Sequence, residues 1–463
     1  MGYSHEIGAH NCCLKETLWA FPLFIVLPIL LKGGFFLEYV YMDNFRGFSK
    51  TLIPLRKTSF LVGENSTGKS SFLSLVSLLY NSAFWYSQDF SVFGGFSDIV
   101  SAASKDKSSF CVGCIKDTLR STHVDRNLSC YAFFFKKDEA LPGLKQYIEY
   151  CNKTILVIKI YKTYALYKFI YHTLEPDLLN DYSRLIPSFE EIINSSDAPF
   201  LRYNYRSMEM PLLLIRTLIL GTMSDSSDSS ESSSTPTFPT FLQINNIAPI
   251  RTKPQKIYEG SKKKYSPEGE HIPFILRQFL NSKDKSLYFR DLILKFGDSS
   301  GLFSGIDVHS FGKDLSSPFE VILNLSGNKL NLSNVGYGVS QILPIVVEML
   351  TKEKGQWFSI QQPEVHLHPR AQTAFGDLVY RLSTNSNHRF IIETHSDYII
   401  DQFRLNIKKN GNTNEAQVLF FERINNKNVV YTLPFDRNGK YPIDQPRSFR
   451  DFFIKQEIEY LGL

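Results

Sequence analysis

The chain has 463 residues, 43% of them hydrophobic and 21% charged, a composition that excludes a disordered or fibrous chain and leaves room for two or three domains' worth of packing. The formal net charge of +5 permits contact with nucleic acid without arguing for it. Thirty-eight Phe and 24 Tyr are enough to fill a core and to supply rings to a partner surface.

The first predicted feature is an apolar run over residues 18–31, interrupted by Pro22 and Pro28. It is too short and too broken for a membrane span. A buried or accessory extension over 1–36, or a start assigned too far upstream, is expected instead, in a cytoplasmic protein without a membrane partner. Residues 37–55 alternate around a Gly turn and predict a β-hairpin.

Residues 58–62 form a short β-prone run, and Gly63-Glu-Asn-Ser-Thr-Gly-Lys69-Ser70 follows at once. This fits the phosphate-binding pattern G-x-x-x-x-G-K-[ST] without a mismatch. Gly63 and Gly68 let the backbone curl so that its N–H groups converge on phosphate oxygens. Lys69 adds a point charge for the β- and γ-phosphates, and the Ser70 hydroxyl suits Mg²⁺. Asn65, Ser66, Thr67 and Ser71 complete the nucleotide-binding set. The apolar pattern over 70–80 predicts a helix whose N-terminus lies under the phosphates.

Residues 85–135 read as strands and turns, with a loop at Phe93–Phe96, and 139–220 mix β-prone runs such as 154–162 with helical patches. Six cysteines are spread thinly, and Cys111-Val-Gly-Cys114 has no second pair or His at ligand spacing, so reduced thiols are expected rather than zinc. The Ser-rich, acidic tract at 224–235 cannot bury a core and predicts a linker over 224–240. A helix is expected over 339–351 and strands over 356–360 and 389–393. No heptad stretch supports a coiled-coil arm. The expected division is 1–36 as extension, 37–223 as an N-terminal lobe with an insertion, 224–240 as linker and 241–463 as a C-terminal lobe.

Four segments stand in a telling order: the loop at 63–70, Val335-Gly-Tyr-Gly338-Val-Ser340-Gln341, Trp357-Phe-Ser-Ile-Gln361-Gln362-Pro-Glu364-Val-His366-Leu-His368-Pro369, and Phe390-Ile-Ile-Glu-Thr394-His395-Ser396-Asp397. In this order they resemble the ABC-type ATPases of the SMC/OLD branch. Within it they are similar to the ATPase subunits of the Septu anti-phage system, the PtuA proteins, and their retron-associated relatives. The resemblance covers roughly residues 37–110 and 241–463, including Ala248–Pro254 and Pro442–Phe453.

The resemblance implies an α/β fold, an ABC-type P-loop ATPase head with a mixed β-sheet flanked by helices and a helical insertion. It implies ATP and Mg²⁺ as ligands and a homo-oligomer, a dimer of heads or higher, with ATP between the phosphate loop of one head and the signature segment of another. Gly338, Ser340 and Gln341 belong to that signature, and His395 is the implied switch histidine. His366 and His368 would sit in the segment that faces the partner head. The resemblance also implies a separate HNH-type nuclease partner, with DNA a further partner. No H-N-H cluster and no acidic triplet stands in the roughly 70 residues after His395.

One departure matters. The family pattern ends the Walker B strand on a carboxylate for Mg²⁺ and often a second for the attacking water, where this chain has Gln361 and Gln362. A neutral amide is a weaker Mg²⁺ ligand and cannot accept a proton near neutral pH. Gln362 is left to orient water, with Gln361 and Ser70 at the metal. Glu364 stands as either a compensating carboxylate or a structural residue of the inter-head segment. Tight ATP binding with slow or absent hydrolysis is the expected result. The alternative class is an SMC- or RecF-like DNA-repair ATPase, against which the missing heptads count. The aromatic stretch at 441–463 reads equally as a docking surface or as a helix packed on its own domain.

Overall fold

The computed structural model describes residues 35–119, 126–205, 210–224, 244–261, 263–282, 286–411 and 415–452. The apolar run at 18–31, and the Ser-rich tract beyond Ser224, lie outside the described residues.

In chain order, β1 (Phe35–Asp43) and β2 (Thr51–Leu55) form the expected hairpin, and β3 (Thr58–Gly63) leads through the loop into α1 (Lys69–Leu79). Short helices α2 (Ser82–Ser87) and α3 (Phe96–Ile99) precede the antiparallel strands β4 (Ser109–Leu119), β5 (Arg126–Asp138), β6 (Leu141–Cys151), β7 (Thr154–Ile160) and β8 (Tyr164–Tyr171). Then come α4 (Pro176–Asn180), α5 (Leu185–Ser195), β9 (Leu201–Asn204) and α6 (Leu212–Ser224). The second half holds β10 (Ile244–Ile247), α7 (Ile272–Asn281), α8 (Ser286–Ser300), β11 (Gly305–Ser310), β12 (Phe319–Leu325), β13 (Asn328–Asn331) and α9 (Tyr337–Thr351). It closes with β14 (Trp357–Gln361), α10 (Pro369–Asn385), β15 (Arg389–Glu393), α11 (Asp397–Asn410), β16 (Ala416–Ile424) and β17 (Lys427–Pro434).

The fold is α/β, with a mixed six-stranded sheet ordered β10-β14-β15-β3-β16-β17. Its first five strands are parallel and β17 runs antiparallel at the edge. Both faces are covered, so these strands are nearly continuous apolar runs. Alternate residues serve two cores. Phe60, Val62, Phe358, Ile360, Phe390 and Ile392 face α9, α10 and α11, while Leu61, Trp357, Ile391 and Leu419 face α1.

The segment from β4 to α6 carries the expected helices, but they stand on an eight-stranded antiparallel sheet, β2-β1-β4-β5-β6-β7-β8-β9. One face of that sheet joins the α1 core and the other is covered by α4 and α5. Much of the aromatic content is consumed there. Phe110 and Phe135 stack with centroids 5.0 Å apart, and Trp85 packs edge-on against Phe133 at 5.0 Å. Cys111, Cys114 and Cys130 are buried free thiols, and burial pushes Cys114 up to about 12.

A buried ion pair ties α6 to this sheet. Arg216 Nε and Nη2 each donate to Glu149 at 2.6 Å, and the Tyr147 hydroxyl donates to the same carboxylate at 3.0 Å. Removing one partner strands the other charge. Arg216→Met is therefore expected to destabilise by about 3–5 kcal/mol, and the double change with Glu149→Leu by much less. Denaturant unfolding of both variants checks this.

His388, just before β15, is 2% exposed, lies edge-on to Phe358, and accepts from the Gln356 amide at Nδ1. Burial lowers its pKa to about 4, against about 6.5 unfolded. Between those values the unfolded chain takes a proton that the folded one refuses. Stability from this residue is thus fully present above pH 6.5 and is lost as pH falls toward 4, by about 3 kcal/mol in all. His388→Asn is expected to fall less in thermal midpoint between pH 7 and pH 4.5 than the native chain does.

Candidate functional site

Three parallel strands end side by side at one edge of the six-stranded sheet: β3 at Gly63, β15 at Glu393 and β14 at Gln361. In open α/β sheets ligands bind outside this carboxyl edge. Gln361 is in register with Glu393, and Glu393 with Leu61. The ladder continues past the strands, where the Gln362 amide donates to Glu393 O (2.8 Å) and the Thr394 amide to Leu61 O (3.1 Å).

The loop between β3 and α1 is built as its spelling demands. Gly63 has φ 143° and Gly68 φ 97°, in the region that favours glycine. A Cβ at Gly63 would meet Phe421 O at 2.1 Å, and one at Gly68 would meet Asn428 Nδ2 and Phe48 Cζ at 2.6 Å. Ser66 also has positive φ, Asn65 is exposed, and the Thr67 hydroxyl donates to Glu64 O at 2.8 Å. Lys69 is 4% exposed, and its ammonium donates to Gly63 O and Glu64 O at 2.8 and 2.7 Å. Loss of hydration lowers its pKa, partly offset by Glu393 and Glu64. The Ser71 hydroxyl accepts from Arg46 at 3.4 Å, and Arg46 also donates to Phe93 O at 2.7 Å.

The Ser70 hydroxyl donates to both oxygens of Glu393, at 3.2 and 3.3 Å. Burial raises the Glu393 pKa, while Lys69 and the Ser70 bond counter the shift. A hydroxyl and a carboxylate at a phosphate loop are hard oxygen donors that fit Mg²⁺. Among the described residues no group of three or more His, Cys, Asp or Glu side chains forms a metal cluster.

Glu364 is committed elsewhere. Its Oε2 accepts from the Thr394 hydroxyl and its Oε1 from the His395 amide, both at 2.8 Å, so it clasps the switch segment to the end of β14. His395 is exposed at the site. Loss of hydration and the Lys69 ammonium hold its imidazole below the usual range, with Glu364 opposing. Phe452 lies over its ring, and Phe449 is buried against Phe420 and Tyr441, so these rings of the 441–452 stretch pack against β16, while Ile443 is exposed. Gln362 adopts φ 45°, a left-handed conformation uncommon for a side-chain-bearing residue and concentrated at functional sites.

Sequence reasoning missed two residues here. Glu393 was in view only as the residue before Thr394. Arg251 is buried and donates through Nη2 to Gln361 O at 2.7 Å, while its Nε and Nη1 have no partner among the described residues. Burial lowers its pKa to about 10, with Glu364 opposing. Position at the end of a strand was the available signal for Glu393.

Residues 335–341, the signature that the resemblance implied, are not brought to the loop at 63–70 of the same chain. α9 packs on α7 and α8, on the face of the sheet opposite α1. The helix begins at Tyr337, two residues earlier than expected. Ser340 therefore lies inside the first turn and is buried, with its hydroxyl donating to Tyr337 O at 2.9 Å; Gln341 is buried beside it. Tyr337 is 60% exposed next to His366. Gly338 is required by close approach, since a Cβ there would meet His366 O at 2.7 Å.

Gly68→Ala is expected to cost about 1–3 kcal/mol of stability through backbone strain and the clash with Phe48, and to weaken nucleotide binding in titration calorimetry. Gly336 has open space around its Cα and negative φ. Gly336→Ala is expected to leave the unfolding free energy within about 0.5 kcal/mol of native in denaturant unfolding.

Comparison with known proteins adds the following. The chain is similar to the SMC head bound to the winged-helix domain of ScpA (12% identity, TM-score 0.43, 86% of this chain and 97% of that one). It is similar to the SMC head domain from Thermotoga maritima (12%, 0.35, 86% and 98%) and to the Pyrococcus furiosus Smc head with an extended coiled coil bound to the C-terminal domain of ScpA (12%, 0.37, 91% and 99%). No curated protein matches it. The family described as AAA ATPase domain matches residues 36–400, most of the chain and the whole of the strand edge just described, and the protein belongs to that family.

Proposed function

We propose that this chain is the ATP-binding subunit of a bacterial anti-phage defence system of the Septu kind. Two or more heads close on ATP, and the closed assembly regulates or scaffolds an HNH-type endonuclease. ATP acts mainly as an assembly ligand, and its hydrolysis is slow or absent.

The observation that carries this reading is the end of β14. Gln361 and Gln362 present neutral amides there, and Glu364, the carboxylate of that segment, has both oxygens engaged by Thr394 and His395. Nothing in the segment is placed to take a proton from an attacking water, while the phosphate loop is fully formed. Tight binding with little turnover follows. Pairing is supported by the separation of α9 from α1, because a phosphate at one head's loop would meet another head's α9. The residues exposed for that meeting are Gly336 and Tyr337 at the start of α9, not the buried Ser340. A helix N-terminus there offers N–H groups and a positive dipole end to the γ-phosphate.

Light scattering with and without ATP is expected to show nucleotide-dependent association that Lys69→Ala abolishes. Turnover is expected on the order of 10⁻³ per second, near that of an unaided small GTPase, and Gln362→Glu is expected to raise it. Turnover of tens per second abolished by Gln362→Ala would sink the proposal. Co-purification with an HNH nuclease, dependent on ATP and on Lys69, tests the partner. Turnover stimulated by DNA with no nuclease retained would favour the DNA-repair class instead.

A further inference from the structure

We infer that Glu393, at the end of β15, supplies the anionic ligand for the magnesium of a bound nucleotide, in the place that Gln361 leaves neutral. The inference rests on the proposal that ATP binds at the 63–70 loop.

Strand order makes the first argument. β15 lies between β14 and β3. Its end is one strand spacing, about 4.8 Å, from the strand that carries the phosphate loop, while the end of β14 is two spacings away. Side-chain alternation makes the second. Ile391 faces the α1 core, so Glu393, two residues on, faces α1 as well. Its two oxygens accordingly reach the Ser70 hydroxyl at 3.2 and 3.3 Å.

The surroundings leave the carboxylate short of donors. Glu393 is 6% exposed, and among the described residues Ser70 is the side chain that hydrogen-bonds it. The nearby Lys69 ammonium is engaged with the carbonyls of Gly63 and Glu64. A buried carboxylate with one hydroxyl donor is poorly compensated, and a divalent cation compensates it directly. Mg²⁺ is commonly held by one or two protein oxygens together with phosphate oxygens and waters. Ser70 and Glu393 meet that need. Gln361, in register with Glu393 and on the same face by the same alternation from Trp357, stands next to them as a neutral oxygen. Glu364 does not compete, because both its oxygens are bound.

A carboxylate at this place also repels a polyphosphate that arrives without its metal. Glu393 thereby makes the site selective for Mg²⁺-ATP over free ATP.

The test measures binding of a non-hydrolysable ATP analogue by calorimetry with Mg²⁺ and with EDTA, together with the electron paramagnetic resonance signal of Mn²⁺ in the ternary complex. In the native chain Mg²⁺ is expected to tighten binding. Glu393→Gln is expected to lose at least about tenfold of that gain, to bind the metal-free analogue as tightly as native or more so, and to weaken Mn²⁺ uptake. Gln361→Ala is expected to lose less of the gain than Glu393→Gln. Glu393→Asp, which keeps the charge but withdraws it by one methylene, is expected to fall between native and Glu393→Gln and serves if the Gln variant misfolds. The assignment is overturned if Glu393→Gln and Glu393→Asp keep the full Mg²⁺ gain, or if Gln361→Ala loses more of it. Analogue binding unaffected by Lys69→Ala is a separate pattern, and it overturns the loop as the nucleotide site and this assignment with it.

Discussion

The parallel register of β3, β15 and β14 decides most of what this protein can do. The three strands are apolar and buried on both faces along their length, and polar side chains gather where they stop. Because side-chain direction alternates, a slip of one residue in β15 would swing Glu393 from α1 toward α10 and α11. It would put Ile392 against Ser70. The backbone bonds from Gln362 to Glu393 and from Thr394 to Leu61 hold the register up to the edge itself. The loop, Glu393 and His395 thus share one frame of reference.

Around that frame the contacts converge on one segment. Glu364 leaves the end of β14 and clasps Thr394 and His395, which begin α11's approach. Two residues after Glu364, the His366 carbonyl is where Gly338 comes in at the start of α9. Arg251, just past the end of β10, donates to the Gln361 carbonyl that starts the same segment. α9 and His395 are therefore both in contact with the seven residues from Gln362 to His368, although they lie on different elements. A displacement at the strand edge has a short, packed route to the start of α9.

The antiparallel sheet serves a different end. It shares the α1 core with the nucleotide sheet, and its strands fill that core with rings. The high Phe and Tyr content reflects this double duty. The buried Arg216–Glu149 pair joins α6 to that sheet beside the apolar contacts of Leu212, Ile215 and Ile219.

The local parts of the site were legible in the amino-acid sequence. The phosphate loop, the hairpin before it and the helix after it follow from residues within a short span, where glycine conformation and apolar period act directly. So was the chemical weakness at Gln361 and Gln362, since an amide is neutral wherever it lies. The start of α9 was misplaced by two residues because Tyr337 and Gly338 read as turn until the close approach to His366 is known. Arg251 was beyond reach, and Glu393 was marked only by its place at a strand end, for a stronger reason. Their roles depend on which strand lies beside β3 and which carbonyl ends beside residue 251, and such neighbours are far apart in the chain. Sequence determined that this protein has a phosphate-loop pattern ahead of a helix and neutral amides at Gln361 and Gln362. Strand order, a property of the folded sheet alone, decided which carboxylate stands beside Ser70.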